Sequence, residues 1–162
     1  MFASYFGSSI LGRAIRDGVI SVHYYNPRDY TKDKHKRVDR KPYGGGPGMV
    51  LEAPSVLAAA KAAIGRKKGV RVLFFEPHGS EYNTAYAEGL TEVRHIVMIC
   101  GRYEGVDARV KQALGAEGVS IGNYVLTGGE LPAMVVVDSV TRRLPGVLGD
   151  ECSVEERRIA GG

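Results

Sequence analysis

The chain has 162 residues, of which 44% are hydrophobic and 25% are charged, a composition typical of one globular domain with a sizeable core. No apolar run is long enough for a transmembrane helix, and no signal-peptide pattern precedes the first predicted helix, so we expect no membrane association. The two cysteines, Cys100 and Cys152, form no metal-binding spacing with the scattered histidines. We therefore expect no zinc site and a reducing, cytoplasmic location.

The formal net charge of +4 originates in one segment. Between Arg28 and Lys41 there are seven basic and three acidic side chains, whereas the rest of the chain is balanced. Such a block attracts phosphate groups and is compatible with nucleic-acid binding. A solvated loop without a partner is the other interpretation, and the charge run by itself leaves both open.

Hydrophobic periodicity and turn formers predict the elements of the first half of the chain. These are a helix that begins at Ser8 or Ser9 and ends at Gly18, a strand from Val19 to Tyr25, a loop from Pro42 to Met49, and a helix from Ala53 to Ile64 that Gly65 ends.

The second half alternates strands with helices. It reads as a strand Val70–Phe75, a helix Tyr82–Leu90, a strand His95–Cys100, a helix with Val106, Val110 and Leu114 on one face, a strand Val119–Ile121 and a helix Leu131–Arg143. This alternation predicts an α/β fold with a mostly parallel sheet and flanking helices. Residues 1–149 would form the domain, and 150–162 a polar tail or the start of an interdomain linker.

Loops follow each of the predicted strands at the carboxyl end, over Glu76–Gly79, Gly101–Gly105 and Gly122–Gly129. Ligands of open α/β sheets bind beyond the carboxyl ends of the strands. Glycines there expose backbone N–H and C=O groups, which suits a planar polar ligand such as a nucleoside. No GxGxxG follows a strand, and GGGPGM lacks the Gly-Lys-Ser/Thr of a P-loop, so neither a dinucleotide site nor a nucleoside triphosphatase is supported.

Four motifs in order carry a family resemblance: YGGGPGM from Tyr43, GRYEGVD from Gly101, SIGNYVLTGGELPAM from Ser120 and DSVTRRLPGVLG from Asp138. With them, residues 8–149 resemble the bacterial tRNA (guanine-N1)-methyltransferases of the SPOUT class. The resemblance implies a C-terminal trefoil knot, S-adenosylmethionine as cofactor, and a homodimer. It also implies methyl transfer to N1 of the guanine 3′ of the anticodon in tRNA.

The resemblance also implies roles for individual positions. The matching cofactor-binding residues are Pro77, Gly101, Ile121, Gly122, Asn123, Tyr124, Val125 and Leu126. The matching RNA-binding residues are Tyr43, Gly44, Gly45 and Gly46, with Arg37, Arg40 and Lys41 of the basic run as phosphate contacts.

For Glu104 and Arg142 the resemblance implies catalytic roles. Glu104 could steady the sulfonium or help to hold Mg²⁺, or it could be an ordinary glutamate in the first turn of a helix. Arg142 could bind guanine O6 and stabilise negative charge as N1 loses its proton, or it could simply favour a helix C-terminus. Its neighbour Arg143 matches no motif position and is expected at the surface.

The chain departs from the family pattern in several places. We find no counterpart of three family features: the first strand with its Leu-Phe-Pro-Glu motif, the C-terminal tRNA-binding domain, and the aspartate that accepts the N1 proton. In addition, Asn123 replaces an aspartate of the family motif. We therefore expect a catalytic-domain fragment that binds cofactor and methylates weakly or not at all. Alternatives are a non-catalytic RNA-binding or dimerisation module, and a SPOUT methyltransferase for another RNA.

Overall fold

A computed structural model describes residues 2–149 of the chain. The expected tail at 150–162, with Cys152, lies outside the described residues. The described residues divide into two compact units, one comprising residues 2–22, 83–92 and 134–149 and the other residues 23–82 and 93–133.

Residues 2–149 form both helices and strands. The helices are α1 (Phe2–Phe6), α2 (Ser9–Arg16), α3 (Ala53–Ile64), α4 (Thr84–Thr91), α5 (Arg109–Leu114) and α6 (Glu130–Thr141). The strands are β1 (Asp39–Arg40), β2 (Val50–Leu51), β3 (Val70–Glu81), β4 (His95–Ile99) and β5 (Glu117–Ser120), and a 3₁₀ turn spans Pro27–Asp29.

Parallel pairing organises the second unit, residues 23–82 and 93–133. Its three-stranded sheet has the order β4-β3-β5, and β3 pairs in parallel with both neighbours. Leu73 of β3 and Val119 of β5 are fully buried. The predicted α/β fold with a parallel sheet and flanking helices is therefore confirmed.

The core of this unit lies between the sheet and the helices α3 and α5. Val56 of α3, Phe74 of β3 and Val110 of α5 belong to one buried cluster. Burying each of these side chains contributes about 1.5–3 kcal/mol. This packing holds β3 and β4 in place, so that the loops at their carboxyl ends start from a rigid frame.

The prediction for α3 is confirmed at both ends. Pro54 occupies the first turn, where its missing N–H is not needed, and Gly65 follows the last residue with a φ of 56°. A left-handed backbone at this position favours glycine.

The strand predicted for Val19–Tyr25 is wrong. This segment has no regular secondary structure and pairs with no strand in the described part of the chain. Alternating apolar residues suit a strand, but a strand also requires a neighbour for its N–H and C=O groups. Ser8 does occupy the N-cap position of α2, yet its hydroxyl donates to the carbonyl of Ser4 at 2.8 Å instead of capping the helix.

The predicted loop Glu76–Gly79 is instead part of β3. Phe75 and Ser80 both pair with Val119, so the four residues between them form an excursion within the strand. Gly79 lies against the backbone at Val119, where an added Cβ would come within 2.4 Å of the Val119 nitrogen. A side chain at this position is excluded by main chain, which cannot move aside.

The first unit is built on α1, α2 and the second part of α6. Phe6, Leu11 and Met134 form a buried cluster against which Val137 packs. The expected surface position of Arg143 is wrong. Its side chain is only 8% exposed, and Nη1 donates to the carbonyl of Ser139 at 2.5 Å.

None of the helices within residues 2–149 combines the length and apolar character required to cross a membrane.

We expect Gly79→Ala to destabilise the protein by about 2 kcal/mol or more, because the new Cβ would overlap the backbone of β5. Gly89→Ala is the matched control. Its Cβ would meet nothing within 4 Å, and alanine in a helix interior should stabilise α4 by up to about 1 kcal/mol. Urea denaturation of both variants measures the difference, and equal unfolding free energies would contradict this packing.

Candidate functional site

A cleft of about 230 Å³ lies at the carboxyl ends of the sheet strands, entirely within the second unit. Its walls come from β3 and its excursion, from the loop that follows β4 and from the loop that follows β5. The lining residues are Phe75, Glu76, Pro77, Gly101, Arg102, Tyr103, Glu104, Gly105, Val119, Ser120, Ile121, Gly122, Tyr124, Val125, Leu126, Gly128, Gly129 and Pro132.

Backbone contacts join two of these walls directly. The amide of Gly129 donates to the carbonyl of Gly101 at 2.9 Å. An added Cβ at Gly129 would lie 2.7 Å from the Cα of Cys100. The two loops can approach this closely only because position 129 has no side chain.

An ion pair joins the same two loops. The Nε of Arg102 donates to Oε1 of Glu130 at 2.7 Å. Arg102 and Gly128 also form an isolated antiparallel bridge. The sequence analysis did not predict these contacts, although Arg102 lies in one glycine-bearing loop and Glu130 directly follows the other.

Tyr124 folds back over its own loop. Its hydroxyl donates to the carbonyl of Ile121 at 3.2 Å. A Cβ at Gly122 would lie 2.3 Å from the Tyr124 ring, so the ring covers this glycine. Any movement of the ring would therefore uncover backbone on this side of the cleft.

Glu104 connects the cleft to the loop that ends at Met49. Its amide donates to the Met49 carbonyl at 3.0 Å. Gly48, with a φ of 84°, lies directly under the Glu104 side chain, where a Cβ would come within 2.5 Å of Oε1. The glycine-rich loop and the catalytic candidate are thus in direct contact.

Glu76 and Lys111 form a second ion pair beside the cleft. Lys111 Nζ donates to Glu76 Oε1 at 2.5 Å. Both side chains lie over Gly118, which has no room for a Cβ. This pair ties the β3 excursion to α5, a function that no sequence pattern indicated.

The basic run is partly neutralised within the protein. Arg37 donates to the Asp33 carboxylate from both Nε and Nη2, and these hydrogen bonds hold the pKa of Asp33 well below its usual range. Arg40 forms an ion pair with Glu52. Lys41, by contrast, is exposed and forms no salt bridge within the described residues.

Tyr43 projects from the glycine-rich loop and is 91% exposed. Its hydroxyl accepts from Arg109 Nη2 at 3.2 Å, and the guanidinium carbon lies 5.6 Å from the ring centroid. Asp107 fixes that guanidinium through Nε and Nη2, and the hydrogen bonds lower the pKa of Asp107. The Tyr43 ring is therefore exposed to solvent while Arg109, itself held by Asp107, contacts it.

Arg142 belongs to the other unit. It follows the last residue of α6, is half-buried, and its amide donates to the Asp138 carbonyl at 3.1 Å.

The structure brings most of the predicted cofactor-binding positions together. Those that line the cleft are Pro77, Gly101, Ile121, Gly122, Tyr124, Val125 and Leu126, and Glu104 joins them. Asn123 is exposed and does not line it. Their role in binding stays a prediction. Within residues 2–149, no group of three or more His, Cys, Asp or Glu side chains is placed to hold a metal ion.

Comparisons with known proteins show the family and the fold. The family model described as tRNA (Guanine-1)-methyltransferase TrmD matches residues 1–160. The tRNA (guanine-N(1)-)-methyltransferases of Heliobacterium modesticaldum and Aliivibrio salmonicida are 47% and 48% identical over the whole of this chain. The crystal structure of tRNA (m1G37) methyltransferase from Aquifex aeolicus superposes with a TM-score of 0.81 at 37% identity, covering 91% of this chain and 66% of that one.

These findings first define the class: the chain has the α/β fold of the SPOUT methyltransferase class. The chain belongs to the tRNA (guanine-1)-methyltransferase TrmD family. It spans 62% of the Heliobacterium protein and 66% of the Aliivibrio protein.

We expect the stability of the protein to fall as the pH rises above 9. Burial, reinforced by Glu130 and opposed by Arg102, raises the pKa of Cys100 from 9.0 to about 12. The unfolded thiol therefore ionises first, and stability that is fully present below pH 9.0 is lost between this value and about 12. Urea denaturation at a series of pH values, in a Cys152→Ser background, measures this slope.

Cys100→Ala is the control for the pH series. Its unfolding free energy should vary less with pH above 9.0 than that of the parent, whatever its absolute stability. Parallel pH profiles would contradict a buried, protonated thiol.

Proposed function

We propose that this chain binds S-adenosylmethionine in the cleft and serves methyl transfer to N1 of the guanine 3′ of the anticodon in tRNA. The observation that carries the proposal is the convergence of the three predicted loop positions on one cleft, in a member of this family. Because the chain spans less than two thirds of its relatives, the activity of the whole protein is part of the proposal.

The adenosine part of the cofactor would occupy the cleft. Gly101, Gly105 and Gly129 bring main chain to its wall, where N–H and C=O groups would suit the polar edge of a nucleoside. Ile121 and Leu126 provide apolar contacts for the flat face of adenine. When bound, the cofactor supplies an electrophilic methyl group on a sulfonium.

Two side chains of the protein would stabilise charges that arise on the cofactor and on the guanine base. Glu104, exposed at the edge of the cleft, would favour a nearby positive charge or help to hold Mg²⁺. Arg142 would donate to guanine O6 and stabilise negative charge as the proton leaves N1. The cofactor half of the reaction is the part that the cleft supports best, and we expect methyl transfer by this chain alone to be weak.

The substrate side of the proposal rests on the basic run and the glycine-rich loop. Tyr43 is exposed for stacking on a base, and the exposed lysines of the run can contact phosphates. A homodimer is also proposed. Leu131 and Val135, one turn apart on α6, are 48% and 43% exposed, and a second copy would cover them.

We expect calorimetric titration with S-adenosylhomocysteine to show saturable binding of about one ligand per chain. Leu126→Asp should weaken this binding by at least about tenfold, since a carboxylate would replace an apolar contact in the cleft. Val19→Asp, at an exposed position of the other unit, is the control and should bind as the parent does. A folded parent protein that binds no ligand would overturn the proposed function.

We expect Glu104→Gln to reduce the single-turnover rate of methyl transfer by about tenfold or more while changing the affinity for S-adenosylhomocysteine by less than about threefold. The amide keeps the shape of the side chain and removes its charge. Glu88→Gln, exposed on α4, serves as the control. An unchanged rate would remove Glu104 from the mechanism.

We expect Lys41→Ala to reduce the slope of log affinity for tRNA against log salt by about 1. Arg40→Ala should change it less, because Glu52 already neutralises the Arg40 charge. Filter binding over a salt series measures both slopes. Equal slopes for the two variants would contradict this division, and tRNA binding in a protein that binds no cofactor would favour a non-catalytic RNA-binding module.

A further inference from the structure

Arg102 and Glu130 lie at the point where two walls of the cleft meet. Arg102 belongs to the loop that leaves β4, and Glu130 directly follows the loop that leaves β5. Their side chains are 44% and 19% exposed, and Nε and Oε1 are 2.7 Å apart. The pair therefore links two loops that arise from strands which do not pair with each other.

Glu130 does not line the cleft, whereas Arg102 does. Glu130 is the first residue of α6, where the helix dipole favours a negative charge. The helix therefore stabilises the charge of the carboxylate that binds Arg102.

Gly128 provides the space for this arrangement. A Cβ at position 128 would lie 2.3 Å from Oε2 of Glu130 and 3.0 Å from Cδ of Arg102. The ion pair therefore lies over Gly128, which lines the cleft and whose backbone forms the isolated β-bridge with Arg102.

We propose that Arg102 and Glu130 are positioning residues that set the separation of the two glycine loops and so the affinity for the adenosine part of the cofactor. This inference rests on the proposed function, because it concerns the same cleft. Glu130 would act through Arg102 and the loop backbone, without touching the ligand. A partly exposed ion pair ordinarily contributes little to stability, so a positioning role predicts that its removal changes cofactor affinity more than the free energy of unfolding.

Glu130→Gln tests the proposal. We expect the affinity for S-adenosylhomocysteine, measured by calorimetry, to fall by about 5- to 20-fold, while the thermal midpoint changes by less than about 4 °C. Glu117→Gln is the matched control, because Glu117 forms a comparable ion pair with Arg71 at 2.5 Å in the same unit and does not line the cleft. Its affinity should stay within about twofold of the parent value.

Three further variants separate positioning from a general structural effect. Arg102→Gln should weaken binding to a similar extent, and the double variant should be no weaker than either single variant, since both remove one interaction. Gly128→Ala, which keeps both charges but forces the side chains apart, should weaken binding as well.

The outcomes distinguish this proposal from the one it rests on. If the parent protein binds no S-adenosylhomocysteine, the proposed function fails and the positioning role fails with it. If the parent binds and Glu130→Gln binds equally well, or if the effects of Arg102→Gln and Glu130→Gln simply add, the cofactor site stands and the positioning role is overturned.

Discussion

The position of β3 between two parallel neighbours is the constraint on which the rest of this structure depends. Because β4 and β5 both run parallel to β3, the segments that follow β4 and β5 emerge at the same edge of the sheet. The register with β5 is interrupted between Phe75 and Ser80, and this interruption places Pro77 at that edge as well. The cleft is a consequence of strand direction and of this one irregularity.

Glycine then determines how closely the walls can approach. Gly79 packs on the backbone of β5, and Gly129 packs on the backbone at Cys100. Backbone against backbone leaves no room for side chains, so main chain forms part of the cleft wall at Gly101 and Gly129. Ion pairs at the margins, Glu76 with Lys111 and Arg102 with Glu130, join the elements around these contacts. Close main-chain contacts therefore set part of the cleft wall, and ion pairs at the margins join the surrounding elements.

Local patterns were sufficient to predict some of these features from the sequence. The ends of α3 follow from Pro54 and Gly65, and the parallel sheet follows from alternating elements. Tertiary contacts decided the others. Val19–Tyr25 has the alternation of a strand but pairs with none in the described residues, and β3 continues through residues with a loop composition because β5 pairs with it again at Ser80. Family motifs located most of the residues that line the cleft, whereas the ion pairs beside them join residues up to 35 positions apart, which no local pattern reports.

The central claim is that the loops after β4 and β5 are two walls of one cofactor site. Amide hydrogen exchange with and without S-adenosylhomocysteine tests it most directly, because exchange reports each segment separately. We expect the ligand to slow exchange in Gly101–Gly105 and in Ile121–Gly129 together, while the peptide that carries α4 (Thr84–Thr91) is unchanged. Slower exchange in one loop only, or in neither, would contradict a shared site.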